Sequence, residues 1–311
     1  MVNQYLLQLM LAKGIGDAAI RKILQYASVH EACSLQHFCE EPAALGQVLN
    51  LKGDTIRSIP DCKLQAQKLW GMLQNNDVSV ITEQDEAYPS HLKKVLHDHN
   101  PPVLFVQGNP ALLSTPSVGF CGSRKVSPKG MAITEQCAGQ LVDHGITVVS
   151  GYAAGTDLAA HRSALAHGGN TVFVLAEGIL KSTRKPEVRE LLSASNHVFV
   201  SQFLPDQAWS VGSAMRRTSV IIGLSGAMIL VESGKSGGTF AAGEESLKLG
   251  MPLFVIDYEK PEVSAAANPY FIEKGGQPVR GKNGVPCLSR VFSAVENQDH
   301  FDTAEQLCLA M

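Results

Sequence analysis

The sequence predicts an α/β protein: a parallel β-sheet with helices on both faces, preceded by a small all-helical domain. Three observations carry this. From residue 117 onward, short apolar runs alternate with longer helical patterns, the pattern of strand–helix–strand units that build parallel sheets. Three of the strand-to-helix connections are rich in glycine and small residues. Residues 1–76 show apolar side chains at helical spacing and no strand pattern.

In the helical part, Tyr5-Leu6-Leu7, Leu9-Met10-Leu11 and Ile20, Ile23, Leu24 share the helical period. Lys13-Gly14-Ile15-Gly16-Asp17 breaks the run, with Gly16-Asp17 suited to a turn and a new N-cap. Leu51-Lys52-Gly53-Asp54 is a second break; helix resumes over 63–74 and stops at Asn75-Asn76-Asp77. Strands are expected at 78–82 and 103–107, separated by a loop with Tyr88-Pro89 and Asn100-Pro101-Pro102. Further strands are expected at 117–121, 146–150, 171–176, 197–203, 227–232 and 252–257, with a short one near Pro278-Val279. Helices are expected at 129–144, 157–167, 187–195, 213–224 and 240–249. The expected division is 1–76 helical, 77–285 sheet-based, and 286–311 a C-terminal tail.

The 311 residues are 45% hydrophobic and 18% charged, which excludes wholesale disorder and leaves room for two cores. Lys+Arg total 26 against 29 Asp+Glu, a net charge of −3. That excludes a uniformly basic nucleic-acid coat but not a local patch. Residues 121–250 hold 12 Lys+Arg against 10 Asp+Glu, while the remainder holds 14 against 19. Positive charge therefore gathers where the glycine connections lie, although a solvated face produces the same count. The start has no basic n-region and no apolar run is long enough to span a bilayer. Seven scattered cysteines read as reduced thiols, so a cytoplasmic protein without membrane contact is expected. His30, Cys33, His37 and Cys39 lack the paired spacing of a zinc site; no metal and no cofactor is expected.

The first glycine connection is Cys121-Gly122-Ser123-Arg124-Lys125, leading through Ser127-Pro128-Lys129 into a helix. A strand ending in Gly-Ser before a helix is a Rossmann-type phosphate site, and Arg124 suits a phosphate partner. The dinucleotide fingerprint G-x-G-x-x-G is missing, and a structural β–α turn is the competing reading. The second, Gly151-Tyr152-Ala153-Ala154-Gly155-Thr156-Asp157, has two glycines for close backbone approach and a capping Thr156 or Asp157. Asp157 and His161 are four apart and can touch on a helix. Ser123, His161 and Asp157 do not read as a hydrolytic triad, because no nucleophile elbow frames Ser123. The third, Ser233-Gly234-Lys235-Ser236-Gly237-Gly238-Thr239, opens a helix as a small-residue nest for phosphate, without Walker A spacing. Glu244 in that helix is a candidate catalytic acid or a plain dipole compensator. Three such connections at strand ends converge in an open α/β sheet, where ligands bind. Arg216-Arg217 on the fourth helix and Lys181, Arg184, Lys185 after the third strand are weaker candidates.

Several short motifs, in order, resemble the DNA-processing protein A (DprA, or Smf) family. They are Tyr88-Pro89, Pro101-Pro102-Val103-Leu104-Phe105 through Gly108, Gly122-Ser123-Arg124, Gly155-Thr156-Asp157 with His161, Ile222-Gly223-Leu224-Ser225, Ser236-Gly237 and Asn268 through Val279. They cover roughly residues 78–280, and together are more specific than any one. Residues 1–76 resemble the helix-hairpin-helix-like domain often found in front. The resemblance implies a Rossmann-like fold that binds single-stranded DNA in a basic pocket, forms a homodimer and hands DNA to a RecA-type recombinase; no catalytic residues are expected, because the sequence shows no complete acid–nucleophile set. Carried onto this sequence, it points to Gly122, Ser123, Arg124 and Lys129, and to Arg216-Arg217. Lys125, Gly151, Gly155, Thr156, Lys235, Ser236, Gly237, Gly238 and Thr239 complete the expected phosphate- and DNA-binding set.

The sequence departs from the family pattern at four places. Ala154 stands where an Arg is usual, and Arg217-Thr218-Ser219 replaces Arg-Asn-Arg. Ser182-Thr183-Arg184-Lys185-Pro186 replaces a Tyr-Pro. Too few residues follow Pro286 for a C-terminal winged helix. These changes suggest a divergent paralogue. The alternative reading is a nucleotide-binding sensor or a phosphoribohydrolase-like enzyme of the same superfamily, with phage defence as its role, since Ser236-Gly237-Gly238-Thr239 with Glu244 is similar to its glycine-rich motif.

Overall fold

The computed structural model describes residues 4–30, 34–282 and 284–296. Cys33 and Cys308 lie outside the described residues, as does the tail beyond Glu296.

Six short helices open the chain: α1 (Gln4–Leu11), α2 (Asp17–Val29), α3 (Leu35–Glu40), α4 (Pro42–Leu49), α5 (Gly53–Asp61) and α6 (Lys63–Asn75). Gly14 makes the α1–α2 turn at φ 86°, where a side chain would be strained and would also meet Thr55 Oγ1 at 2.8 Å. The apolar stripes of these helices meet in a core of Leu6, Leu7, Ile23, Phe38, Leu45, Ile59 and Leu73. That core runs without a break into Phe105, Phe173 and Phe199 of the sheet.

The rest of the chain builds two sheets, a two-stranded one of Gly281–Lys282 with Val285–Pro286 and a nine-stranded one. Its elements are β1 (Val78–Thr82), α7 (Ser90–Leu96), β2 (Val103–Gly108), β3 (Ser117–Cys121), α8 (Pro128–Asp143), β4 (Thr147–Ser150), α9 (Thr156–Ala166) and β5 (Thr171–Val174). There follow α10 (Pro186–Arg189), β6 (His197–Ser201), α11 (Val211–Gly223), β7 (Ala227–Leu230), α12 (Gly238–Lys248), β8 (Leu253–Ile256), α13 (Asn268–Glu273) and β9 (Gln277–Val279). The spatial order is β1-β2-β6-β5-β4-β3-β7-β8-β9. From β6 to β9 every pairing is parallel. Except for the edge strand β9, these strands are buried on both faces, which is why they read as continuous apolar runs.

The expected strands are all present, and the structure corrects three other points. Next to the edge strand β1, β2 runs antiparallel to both of its neighbours, β1 and β6. The stretch 83–102 holds a helix, α7, which packs Leu92 and Leu96 against Gly223 of α11; its flanking prolines hid it. The helix expected over 187–195 stops at Arg189, because Asn196 turns the chain: its Oδ1 accepts from Ser193 N–H at 2.8 Å and its Nδ2 donates to Leu191 O at 2.9 Å.

The chain enters the parallel sheet at its centre, β3, moves outward through β4, β5 and β6, then crosses back by α11 to β7 on the other side of β3. Adjacent strands whose connections leave in opposite directions open a crevice at their carboxyl ends. Here that crevice lies between the ends of β3 and β7.

Candidate functional site

The glycine connections after β3, β4 and β7 meet at this crevice and brace one another. Thr156 donates to Ser123 O from its N–H (3.2 Å) and its hydroxyl (3.3 Å). Thr239 donates its hydroxyl to Gly122 O at 2.9 Å. A Cβ on Gly122 would sit 2.3 Å from Thr156 Oγ1, so only glycine allows this approach. Behind the third connection, buried Asn268 accepts from Ser233 N–H (3.0 Å) and donates to Val231 O (2.8 Å) and Ile256 O (2.9 Å). The Asn268 motif therefore holds the loop in place without entering the crevice.

The three helix N-termini are not equivalent. That of α8 is closed: Ser127 Oγ accepts from Gly130 N–H at 3.0 Å, and buried Glu232 accepts from the Ser127 N–H (2.9 Å) and hydroxyl. A carboxylate already compensates this helix dipole, so α8 does not offer the anion site expected of it. That of α9 has spent its first N–H on Ser123 O. That of α12 is open: Gly237 provides no side-chain cap, and nothing lies near Gly234, Gly237 or Gly238 where a Cβ would project.

A cavity of about 500 Å³ lies over this end, walled by Gly122, Ser123, Arg124, Ser236, Gly238, Thr239 and Arg217. A second, of about 380 Å³, adjoins it through Arg124, Trp209 and Arg217 and extends to Lys181, Ser182 and Lys185. Arg217 is only 8% exposed. Its Nη1 donates to Val174 O at 3.2 Å and stands 3.8 Å from Asp157 Oδ2. Burial pushes the Asp157 carboxyl up and the Arg217 guanidinium down, and each opposes the other's shift by its charge. Arg217 Nε is buried with no hydrogen-bond partner. Gly151 makes room for this guanidinium: a Cβ there would lie 1.4 Å from Arg217 Nη1. Arg124 is exposed, with its guanidinium 5.7 Å from the ring centre of half-exposed Trp209.

The structure thus brings together Gly122, Ser123, Arg124, Arg217, Ser236, Gly238 and Thr239, with Gly151, Gly155 and Thr156 supporting them from behind and Gly237 opening α12. Arg216 is a correction. Its Nη2 lies 2.7 Å from Asp17 Oδ2 on α2, so it ties α11 to the N-terminal helices instead of facing the crevice. Lys129 stands over the Tyr258 ring at 5.6 Å, and exposed Lys125 and Lys235 do not line either cavity. Sequence reasoning passed over Trp209, an aromatic residue alone in a polar segment, and Glu232, which reads as a strand end.

The groups considered for catalysis are engaged elsewhere. His161 has Nδ1 2.6 Å from Thr171 Oγ1 and Nε2 2.6 Å from Gly151 O. Burial pushes its pKa down to about 3, so the ring is neutral. The expected meeting with Asp157 is not made; Asp157 accepts from Ala153 N–H at 3.4 Å instead. Glu244 hydrogen-bonds Tyr270 and does not line the cavities.

A doubly wound sheet with a glycine-walled, cation-bearing crevice at its switch point defines a Rossmann-like protein. The family model for DNA recombination-mediator protein A matches residues 79–285. The chain belongs to that family. It is 25% identical over 267 residues to DNA processing protein DprA of Streptococcus pneumoniae, covering 82% of this chain and 87% of that protein. It is 27% identical to protein Smf of Synechocystis, over 82% of this chain and 64% of that one. In fold it is similar to the crystal structure of the pneumococcal protein, with a TM-score of 0.73 at 22% identity, covering 91% of this chain and 97% of that chain. It is also similar to DNA processing protein A of Helicobacter pylori, described for its single-stranded DNA binding mode, with a TM-score of 0.57 at 23% identity over 71% of this chain and 95% of that chain. Among the described residues, no helix is long and apolar enough to cross a membrane.

Proposed function

We propose that the protein binds single-stranded DNA along the β3/β7 crevice, without reading sequence and without catalysis, and protects the strand for recombination. One observation carries this: Arg124, its guanidinium 5.7 Å from the ring centre of half-exposed Trp209, stands beside the open α12 N-terminus and buried Arg217. Aromatic and cationic side chains beside free backbone N–H groups suit a strand of unpaired bases and phosphates. The single-stranded DNA binding described for the Helicobacter pylori relative supports the same ligand. The absence of a free base at His161 and the distance of Glu244 from the crevice support a binding role over hydrolysis.

Fluorescence anisotropy with a labelled oligonucleotide across a salt series tests the reading. For single strands, log K falls with log salt by about 0.7 per phosphate contact. Arg124→Glu should weaken binding by at least about tenfold and flatten that slope by about one contact. Unchanged affinity and slope would refute it. The reading extends to a homodimer that delivers the strand to a RecA-type recombinase in the cytoplasm. Sedimentation tests the first part, and recombinase filament growth on pre-bound strands tests the second.

A further inference from the structure

The second cavity, about 380 Å³, lies beyond the glycine loops at the end of β5. Among the described residues two side-chain polar atoms are buried without a hydrogen-bond partner, Ser182 Oγ and Arg217 Nε, and both residues line this cavity. Buried polar groups are nearly always paired, so two around one space point to a ligand that both can address. Arg217 is more than nine-tenths buried.

The charge of the walls says what that ligand is. Arg124, Lys181, Lys185 and Arg217 contribute four cations, against Glu177 alone among the lining residues. Among the described residues, only Arg217 of the four has a carboxylate within ion-pair distance, Asp157 at 3.8 Å, while Glu177, Glu187 and Asp157 act on Lys185 from farther off. Lys185 is held for the role: its ammonium donates to Tyr152 O and lies 4.4 Å from the Tyr152 ring centre, while its N–H donates to the Tyr152 hydroxyl at 2.7 Å. A phosphodiester inside a strand carries one charge and two unbridged oxygens. A phosphomonoester carries close to two charges and three acceptor oxygens, which matches a cationic cavity with additional hydroxyl and guanidinium donors. The segment 182–186 is also where this sequence departs from its family's pattern.

We propose that this cavity takes a phosphomonoester, namely the phosphorylated end of a strand lying in the neighbouring crevice and reached past Arg124, Trp209 and Arg217. The strand-end source rests on the single-stranded DNA reading. The phosphomonoester chemistry does not, because a free nucleoside monophosphate presents the same group.

The test uses the full chain and single strands of one length: circular, linear with hydroxyl ends, and linear with a 5′- or 3′-phosphate. A phosphorylated end should bind about tenfold tighter than a hydroxyl end. Lys185→Gln should erase that preference, and Ser182→Ala should reduce it while leaving circular-strand binding unchanged. Adenosine monophosphate should compete for the end preference and raise the melting temperature of the parent protein, not of Lys185→Gln. Equal affinity for phosphorylated and hydroxyl ends, together with no response to adenosine monophosphate, would overturn the proposal. Equal affinity for the ends with a Lys185-dependent response to the mononucleotide keeps the site and assigns it to free nucleotide. Failure of circular strands to bind, with that mononucleotide response intact, sinks the DNA reading and not this one.

Discussion

Removing the guanidinium of Arg217 separates its structural role from its binding role. Arg217→Ala leaves the buried Asp157 carboxylate with its nearest cation gone, supported by the Ala153 N–H 3.4 Å away, by Ser150 and by the more distant charge of Arg124. Breaking a buried ion pair from one side costs about 3–5 kcal/mol. The 3.8 Å separation places this pair at the lower end, near 3 kcal/mol. Asp157→Asn removes the stranded charge, so Arg217→Ala/Asp157→Asn should be more stable than the sum of the two single changes by about 1–3 kcal/mol. Urea unfolding of the four proteins measures this. The charge argument also sets a pH dependence. Burial already holds the Asp157 carboxyl above its ordinary value of 3.8, and losing Arg217 raises it further. A raised carboxylate pKa penalises the fold as pH climbs through it, so the deficit of Arg217→Ala should be larger at neutral pH than at mildly acid pH. DNA affinity should fall in both proteins that lack Arg217 and survive in Asp157→Asn. Strict additivity of the unfolding energies, with a deficit independent of pH, would refute the reasoning.

Two further predictions concern the same seat. Gly151→Ala places a methyl 1.4 Å from Arg217 Nη1, so it should expel the guanidinium, destabilise by about 1–3 kcal/mol and weaken oligonucleotide binding as Arg217→Ala does; in the Arg217→Ala background the same change should have little further effect on binding. His161 is held near a pKa of about 3 against 6.5 unperturbed. Its contribution is complete above 6.5 and is lost as pH falls toward 3, by up to about 1.4 kcal/mol per pH unit. Denaturation midpoints should therefore fall more steeply below about pH 6 in the parent than in His161→Gln.

The elements were largely legible because their causes are local. Strands buried on both faces must be apolar throughout, and Ala227–Leu230 says so without any knowledge of its neighbours. The two glycines after β4 read as room for a ligand, but the side chain that fills the space at Gly151 is the protein's own Arg217, and Gly122 after β3 likewise makes room for Thr156. The exceptions have particular reasons. Helix α7 is framed by prolines that read as loop, and Asn196 ends α10 through hydrogen bonds that no periodicity reveals.

The candidate site was legible as a place more than as a set of residues. Arg216 and Arg217 are one feature in the sequence, yet consecutive helical residues point about 100° apart. One meets Asp17 on the N-terminal helices and the other Asp157 in the sheet. The N-terminus of α8 carried every local sign of an anion site, but Glu232, far along the chain, occupies it. The sequence by itself determined the helices and strands, the glycine turns and the family, because each depends on neighbouring residues and their spacing. The tertiary structure decided which cations share a cavity, which helix end is open and which polar atoms lack partners, because burial and charge pairing depend on side chains brought together from distant parts of the chain.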